Sequence, residues 1–395
     1  MNKKTHKLSL EPVIQFLTIL LLGLSISYVT FDDQGLMLLN LFVFSFFAFF
    51  YIQRSLKAKA IENTKLMMLT FIDQFIASLS VHKTLLAAFD NTLEVSDERI
   101  KNELRTFSEV DPLEKIEYLA SIFKANIYQS FIKNIRTYSE IGGDILLMSS
   151  FLLKEVAEER TLMMKYRQLT NQTFIELLTG WFFVFLIILM LKFAVSDIYL
   201  QLLMNPIFTY GLEMFILLIL ASVYMHKYVT SQIYMEKKIR RRKKMKHLSI
   251  NDFVESFSYF RNNLSSGTNV YKSLEMTATQ SQGDIGQELF HLINEIKIQQ
   301  NVTPFIHFSS RFNDPLVKHI MVNIYQLMIN GGESSLLFEF NHLFDRIYET
   351  NTALNYHHLK QHYENINQMP MLGSGILVIL IMAGVIGLLG TMIYV

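Results

Sequence analysis

The stretch Leu177–Met225, LLTGWFFVFLIILMLKFAVSDIYLQLLMNPIFTYGLEMFILLILASVYM, decides the fold. It holds two apolar runs. The first, Leu177–Val195, is interrupted only by Thr179, Gly180 and Lys192, and the second is Ile207–Met225. Crossing a bilayer core takes about 20 helical residues. Lipid offers backbone groups no hydrogen-bond partner, so such spans must be helical. Between the runs lies Ser196–Pro206, where Asn205-Pro206 is a stop signal. The reading is a helical hairpin through a membrane, with a non-membrane segment on either side.

Outward from the hairpin, three more apolar runs follow the same logic: Val13–Thr30, Leu36–Ile52 and Met371–Val395. Asp32, Asp33 and Gln34 form the turn between the first two. A cleaved signal peptide would also show an apolar run near the start. Here a second run follows almost at once and no small-x-small cleavage site precedes it, so both read as retained helices. The expected organisation is a tail with two spans over 1–53, a polar segment over 54–173, the hairpin over 174–226, a second polar segment over 227–370, and a last span over 371–395.

Composition agrees with a mixed membrane and soluble chain. Hydrophobic residues make up 51% and aromatics 13%, yet 18% are charged. A net charge of +1 points to no nucleic-acid partner. There is no cysteine, which removes disulfides, zinc-cysteine sites and thiol catalysis. Glycine and proline are scarce and no strand pattern repeats. The fold class expected is all-α: a polytopic membrane protein with five transmembrane helices and two repeated cytoplasmic helix bundles.

Charge placement sets the expected orientation. Lys3, Lys4 and Lys7 precede the first span; Arg54, Lys57, Lys59 and Lys65 follow the second; a basic run over 237–246 follows the fourth. The turns over 31–35 and 196–206 carry Asp but no Lys or Arg. The positive-inside rule then places the N-terminus and both polar segments in the cytoplasm, with Val395 at or beyond the outer face. The basic run reads as a topology anchor against anionic lipid rather than a nucleic-acid patch.

The two polar segments resemble each other. Asn134-Ile135 is followed by six residues, then Gly142-Gly143-Asp144, Leu147 and Phe151. Asn323-Ile324 is followed by six residues, then Gly331-Gly332-Glu333, Leu336 and Phe340. Upstream, Phe75-x-x-x-Leu79-Ser80 matches Phe260-x-x-x-Leu264-Ser265, and the first copy is four residues shorter in between. The ordered set points to a duplication. Apolar recurrence at helical spacing (Phe71, Ile72, Phe75, Ile76 and Leu79; Phe253, Phe257, Phe260 and Leu264) makes each copy a small antiparallel helix bundle. Gly-Gly between such runs is a helix stop and turn, and the acid after it favours the next helix N-terminus. Gly142, Gly143, Asp144, Gly331, Gly332 and Glu333 are therefore candidate turn residues, partner contacts, or both.

With these features the chain resembles the type II secretion F-domain family, the polytopic platform proteins of type II secretion systems, type IV and Tad pili and archaeal flagella. The resemblance covers roughly 68–193 and 253–394. The family motif resembles Gly-Glu-x-Gly; here Asp144 stands for the first copy's Glu, and Ser334-Ser335 follow Glu333. The extra N-terminal pair of spans is closer to the Tad-like and archaeal forms. The resemblance implies a platform in the cytoplasmic membrane that binds a hexameric secretion ATPase below and pilin or pseudopilin subunits above, and works as a small homo-oligomer.

No catalytic or metal site and no cofactor is expected. The phosphate-loop pattern is absent, so the chain should not hydrolyse ATP itself. His358 and His362 lie one helical turn apart near His357, a spacing that an exposed helix explains without a metal. Charges inside spans are costly in lipid. Lys192 and Glu213 are a candidate intramembrane pair across the hairpin; Glu213 facing a pilin, or Lys192 reaching the interface, are the other readings. Gly373, Gly375, Gly384, Gly387 and Gly390 line the last span and permit close packing, within the chain or against a neighbour.

Overall fold

The computed structural model describes residues 10–31, 33–107, 110–123, 125–141, 145–234, 248–265, 267–281, 283–331 and 333–393. Among these there is no strand. In chain order the helices are α1 Leu10–Thr30, α2 Gln34–His82, α3 Leu85–Val95, α4 Glu98–Leu104, α5 Pro112–Leu119, α6 Asn126–Ile141, α7 Ile145–Ala194 and α8 Ser196–Leu203. They continue with α9 Pro206–Tyr234, α10 Ile250–Ser265, α11 Val270–Gln280, α12 Asp284–Ile298, α13 Thr303–Ser309, α14 Pro315–Ile329, α15 Ser334–Asn367 and α16 Met369–Ile393. A 3-10 turn, Arg105–Phe107, follows α4.

The prolines explain many of the helix starts. All six lie in the first turn of a helix: Pro12, Pro112, Pro206, Pro304, Pro315 and Pro370. There the missing N–H has no helical partner to lose and the ring fixes a helical φ. Side-chain caps join them. Asp111 accepts from the Leu113 amide at 3.2 Å, Asp314 from Leu316 at 2.8 Å, and Asn205 from Ile207 at 3.0 Å.

Five helices are long and apolar enough to cross a membrane, and most of each apolar window is uncovered by protein. They mark the chain as a membrane protein. The expected turn over 196–206 is corrected by the structure: it holds α8, eight residues long, before Asn205 and Pro206 start α9. Leu202 and Tyr199 of that helix are buried, and this packing holds the connecting segment helical. The helices do not end where the apolar runs do. α2 and α7 run 49 and 50 residues without interruption. The charged residues after the second span, such as Lys57, Lys59 and Lys65, are good helix formers with no cap or proline among them.

The chain divides into two compact units. The first comprises Met1–Glu62, Lys165–Lys237 and His358–Val395 and carries the apolar spans. Within it α16 packs against α7, α8 and α9, with glycines at the close approaches. A Cβ on Gly373 would meet the Trp181 ring at 2.7 Å, one on Gly384 would meet Leu202 at 2.4 Å, and one on Gly211 would meet Leu380 at 2.6 Å. Two of the glycines named in the last span therefore serve packing within the chain. A Cβ on Gly387 would come 3.5 Å from Asn205, whereas one on Gly375 would meet nothing within 4 Å.

The second unit comprises Asn63–Met164 and Lys238–His357. It holds two helix sets of the same order. One runs from the end of α2 through α3, α4, α5 and α6 to the start of α7; the other runs from α10 through α14 to the start of α15. α3 and α11 have the same length, and their caps (Thr84 and Asn269, Ser96 and Ser281) are 185 positions apart. The same separation relates buried Met68 to Phe253, Phe75 to Phe260, Phe89 to Leu274, Ile100 to Ile285 and Leu104 to Leu289. Thr92 and Thr277 make equivalent bonds to the carbonyls of Ala88 and Ser273, at 2.6 and 2.7 Å. Beyond Leu104, where α12 runs on while α4 stops, the separation becomes 189. It then relates Ile116 to Phe305, Phe123 to Phe312, Phe131 to Ile320, and buried Asn134 to Asn323. Each core is largely aromatic: Phe71, Phe75, Phe123 and Phe131 cluster in one set, and Phe253, Phe257, Phe308 and Phe312 in the other.

Candidate functional site

The membrane-spanning unit has a polar interior strung along α9. A polar side chain in lipid must find a partner on a neighbouring helix. Near the start of α9, Glu213 Oε1 accepts from Asn40 Nδ2 of α2 at 3.0 Å. Further along, Ser222 accepts from the Trp181 indole of α7 at 2.8 Å. His226 Nε2 lies 3.0 Å from the Thr173 hydroxyl of α7, with its ring 4.7 Å from that of Tyr363. The Tyr363 hydroxyl of α15 lies 3.1 Å from Thr170 and 3.0 Å from Thr230. At the end of α9, Ser231 accepts from Arg54 of α2 at 2.7 Å, and the same guanidinium stacks 4.4 Å from the Tyr228 ring. α9 is thus the helix to which α2, α7 and α15 are tied.

The expected Lys192–Glu213 pair is not formed. Lys192 lies two residues from the end of α7 and donates to the Tyr28 carbonyl at 3.3 Å. Tyr199 of α8 donates to the Thr30 carbonyl at 2.6 Å. Both acceptors are in the last turn of α1, where helix carbonyls lack helical partners and carry the negative end of the dipole. Lys192 is therefore a helix cap. Glu213 is the eighth residue of α9, about 10 Å along its axis, so it sits deeper than the lysine. Its partner is instead Asn40, which is 1% exposed. The Oδ1 of Asn40 is buried and meets no donor among the described residues.

The acidic turns divide differently. Gly142, Gly143, Asp144 and Gly332 lie outside the described residues, as does the basic run over 237–246. Gly331 follows the Asn330 cap of α14 at φ +69°, the left-handed stop that the Gly-Gly pattern predicts. Glu333 is exposed, and its carbonyl accepts from Leu337 at 3.0 Å, so it is the cap residue of α15. His357, His358 and His362 are exposed on α15. Among the described residues no three metal-ligating side chains are grouped to hold an ion.

Sequence reasoning missed Asn40, His226 and Tyr363. Asn40 had a signal, being a lone amide within the apolar run Leu36–Ile52. It missed a second polar cluster as well, in the other unit, built from Lys154 and Glu155 of α7, Arg261 of α10 and Asp345 of α15. Asp345 accepts from Arg261 at 3.0 Å and pairs with Lys154. Burial pushes the Glu155 carboxyl up to about 7, against the nearby Arg261 charge and with Glu159 and Glu158 adding to the rise. Glu155 lies ahead of the apolar run that begins at Leu177, in the polar part of α7.

No protein-family model matches the chain, and neither a curated protein nor a solved structure matches it.

Proposed function

We propose that the chain is the inner-membrane platform of a type II secretion or type IV pilus-like machine, possessing no nucleotide hydrolysis of its own. In this reading the two helix sets are a duplicated cytoplasmic domain that contacts a hexameric ATPase. The apolar helices guide pilin or pseudopilin subunits, and several copies assemble around them. The N-terminus and both sets face the cytoplasm, in line with the lysine and arginine bias along the chain.

The observation that carries the reading is the shared register of the two sets. Helix order, caps and buried positions correspond at a constant separation that changes once, and each set leads into membrane helices. A solute transporter built from repeats would place them within the membrane around a midplane site. Here the corresponding parts belong to the second unit and not to the apolar spans.

The test is affinity purification of the detergent-solubilised protein from its own cells, with mass spectrometry of what accompanies it. A secretion-type ATPase and prepilin-like subunits are the expected companions. Recovery of neither, in preparations where other membrane complexes stay intact, would overturn the reading.

A further inference from the structure

Within the second unit the two helix sets meet through unlike faces. The first set offers α6 and the second receives it on α10. Ser130 of α6 is hydrogen-bonded to the Tyr259 hydroxyl of α10. Lys133, one turn further along α6, lies 4.2 Å from the Tyr259 ring and beside Glu255. Ser130 is 4% exposed and Tyr259 6%, and Asn262, one turn on from Tyr259, is 2% exposed.

Because the sets correspond position by position, each carries both halves of this contact. The counterpart of α6 is α14, where His319 and Val322 stand for Ser130 and Lys133 at the 189-residue separation. The counterpart of α10 is the later part of α2, where Thr70, Gln74 and Ala77 stand for Glu255, Tyr259 and Asn262 at the 185-residue separation. These second halves are left uncovered. His319 and Ala77 are exposed where Ser130 and Asn262 are buried, and Gln74 and Val322 are half-buried. Helical spacing continues both faces into exposed apolar residues: Val81, 72% exposed, on α2, and Ile329, 59% exposed, on α14. The α2 face also borders a cleft of about 320 Å³, lined by Leu66, Thr70 and Gln74. The two faces suit each other. Gln74 and His319 can exchange a hydrogen bond as Tyr259 and Ser130 do, and Val322 brings no charge to be desolvated where Lys133 brings one.

We propose that these two faces bind each other between copies of the chain: α14 of one copy docks on α2 of the next, repeating the contact that α6 makes with α10 inside each chain. In that contact His319 faces Gln74, and Val322 faces Gln74 and Thr70. A contact between unlike faces, repeated from copy to copy, closes into a ring or runs on as an open chain. Copies anchored in one bilayer are related by rotations about its normal, so the closed form is a ring. The inference deepens the proposed function and rests on it only in that several copies assemble; it names the surface that joins them.

The chain has no cysteine, so introduced thiols report the contact without background. Ala77→Cys and His319→Cys, both at exposed positions, are made as separate full-length variants and co-expressed with different affinity tags. The protein is purified, placed in liposomes and treated with a short bismaleimide. The expected result is a covalent dimer carrying both tags, with no dimer when either variant is expressed alone. Asn102→Cys co-expressed with Gln287→Cys, exposed on α4 and α12, measures random collision. A yield from the first pair no higher than from this control would overturn the proposal, and so would an equal yield from Ala77→Cys alone, which would place two α2 faces together. Neither an ATPase nor a pilin is present, so failure here is separate from failure of the co-purification that tests the platform reading.

Discussion

Asn40 Nδ2 donates to Glu213 Oε1 across 3.0 Å, joining α2 to α9 inside the membrane-spanning unit. Asn40 is buried and Glu213 half-buried, and neither has another partner among the described residues. Polar pairs between membrane helices contribute roughly 0.6 kcal/mol on average and up to about 2. Asn40→Leu and Glu213→Leu should each lower stability by about 1–2 kcal/mol, because each leaves the other group unpaired. The double variant should recover most of that loss. Thermal unfolding in detergent across the double-mutant cycle measures the coupling; additive losses would show that the bond contributes nothing.

Tyr363 joins three helices through one hydroxyl, at 3.1 Å from Thr170 and 3.0 Å from Thr230. Tyr363→Phe keeps the ring against His226 and removes only the oxygen. It should cost about 1–2 kcal/mol, the value of two ordinary buried hydrogen bonds. The same unfolding assay reads it, and Thr170→Val with Thr230→Val should reproduce the loss.

The glycines of α16 are not equivalent. Gly373→Leu must displace the Trp181 ring and with it the bond to Ser222, whereas Gly375→Leu adds a side chain in open space. The first should lower the melting temperature clearly and shift the tryptophan fluorescence, since Trp181 is the single tryptophan. The second should leave both unchanged, unless that face meets another copy or a partner. Overpacking of this kind typically costs about 1–3 kcal/mol.

Gly331→Ala isolates backbone conformation, since a Cβ there would touch nothing within 4 Å and only φ +69° resists it. A loss of about 1 kcal/mol is expected, and Gly331→Asn should recover part of it because asparagine tolerates the left-handed region. Equal stability of Gly331→Ala and the parent would contradict the cap.

The pH dependence of Glu155 has a definite sign. A carboxyl raised to about 7 on folding binds its proton more tightly in the folded state. Its stabilisation is fully present below about pH 4.5 and is lost as pH rises through 7. Glu155→Gln should match the parent near pH 4 and exceed it at pH 8, by at most about 3 kcal/mol. Denaturant unfolding at the two pH values measures the difference. A parent equally stable relative to Glu155→Gln at both would rule out the shift.

The residues made the helical class and the five long apolar helices legible. Leu177–Val195 and Ile207–Met225 cannot satisfy their backbones in lipid any other way. The Asn-Ile spacing was visible too, and Asn134 and Asn323, which share the 189-residue separation, are both buried. α8 was not legible. Ser196 and Asp197 look like a loop, and only the burial of Tyr199 and Leu202 makes the segment a helix. The unbroken length of α2 and α7 was equally hidden, since a change from apolar to charged residues alters a helix's surroundings without ending it.

Local chemistry, then, was written in the chain: which segments are apolar, where prolines start helices, where Gly331 stops one. The choice of partner was not. Lys192 and Glu213 lie on neighbouring spans and have opposite charge, yet Lys192 caps α1 and Glu213 meets Asn40, 173 positions away. Arg261 looks like a surface charge by residue type, yet it is buried and pairs with Asp345. Pairing across the chain depends on depth, helix rotation and which groups the backbone has already claimed. These quantities exist only once the helices have packed.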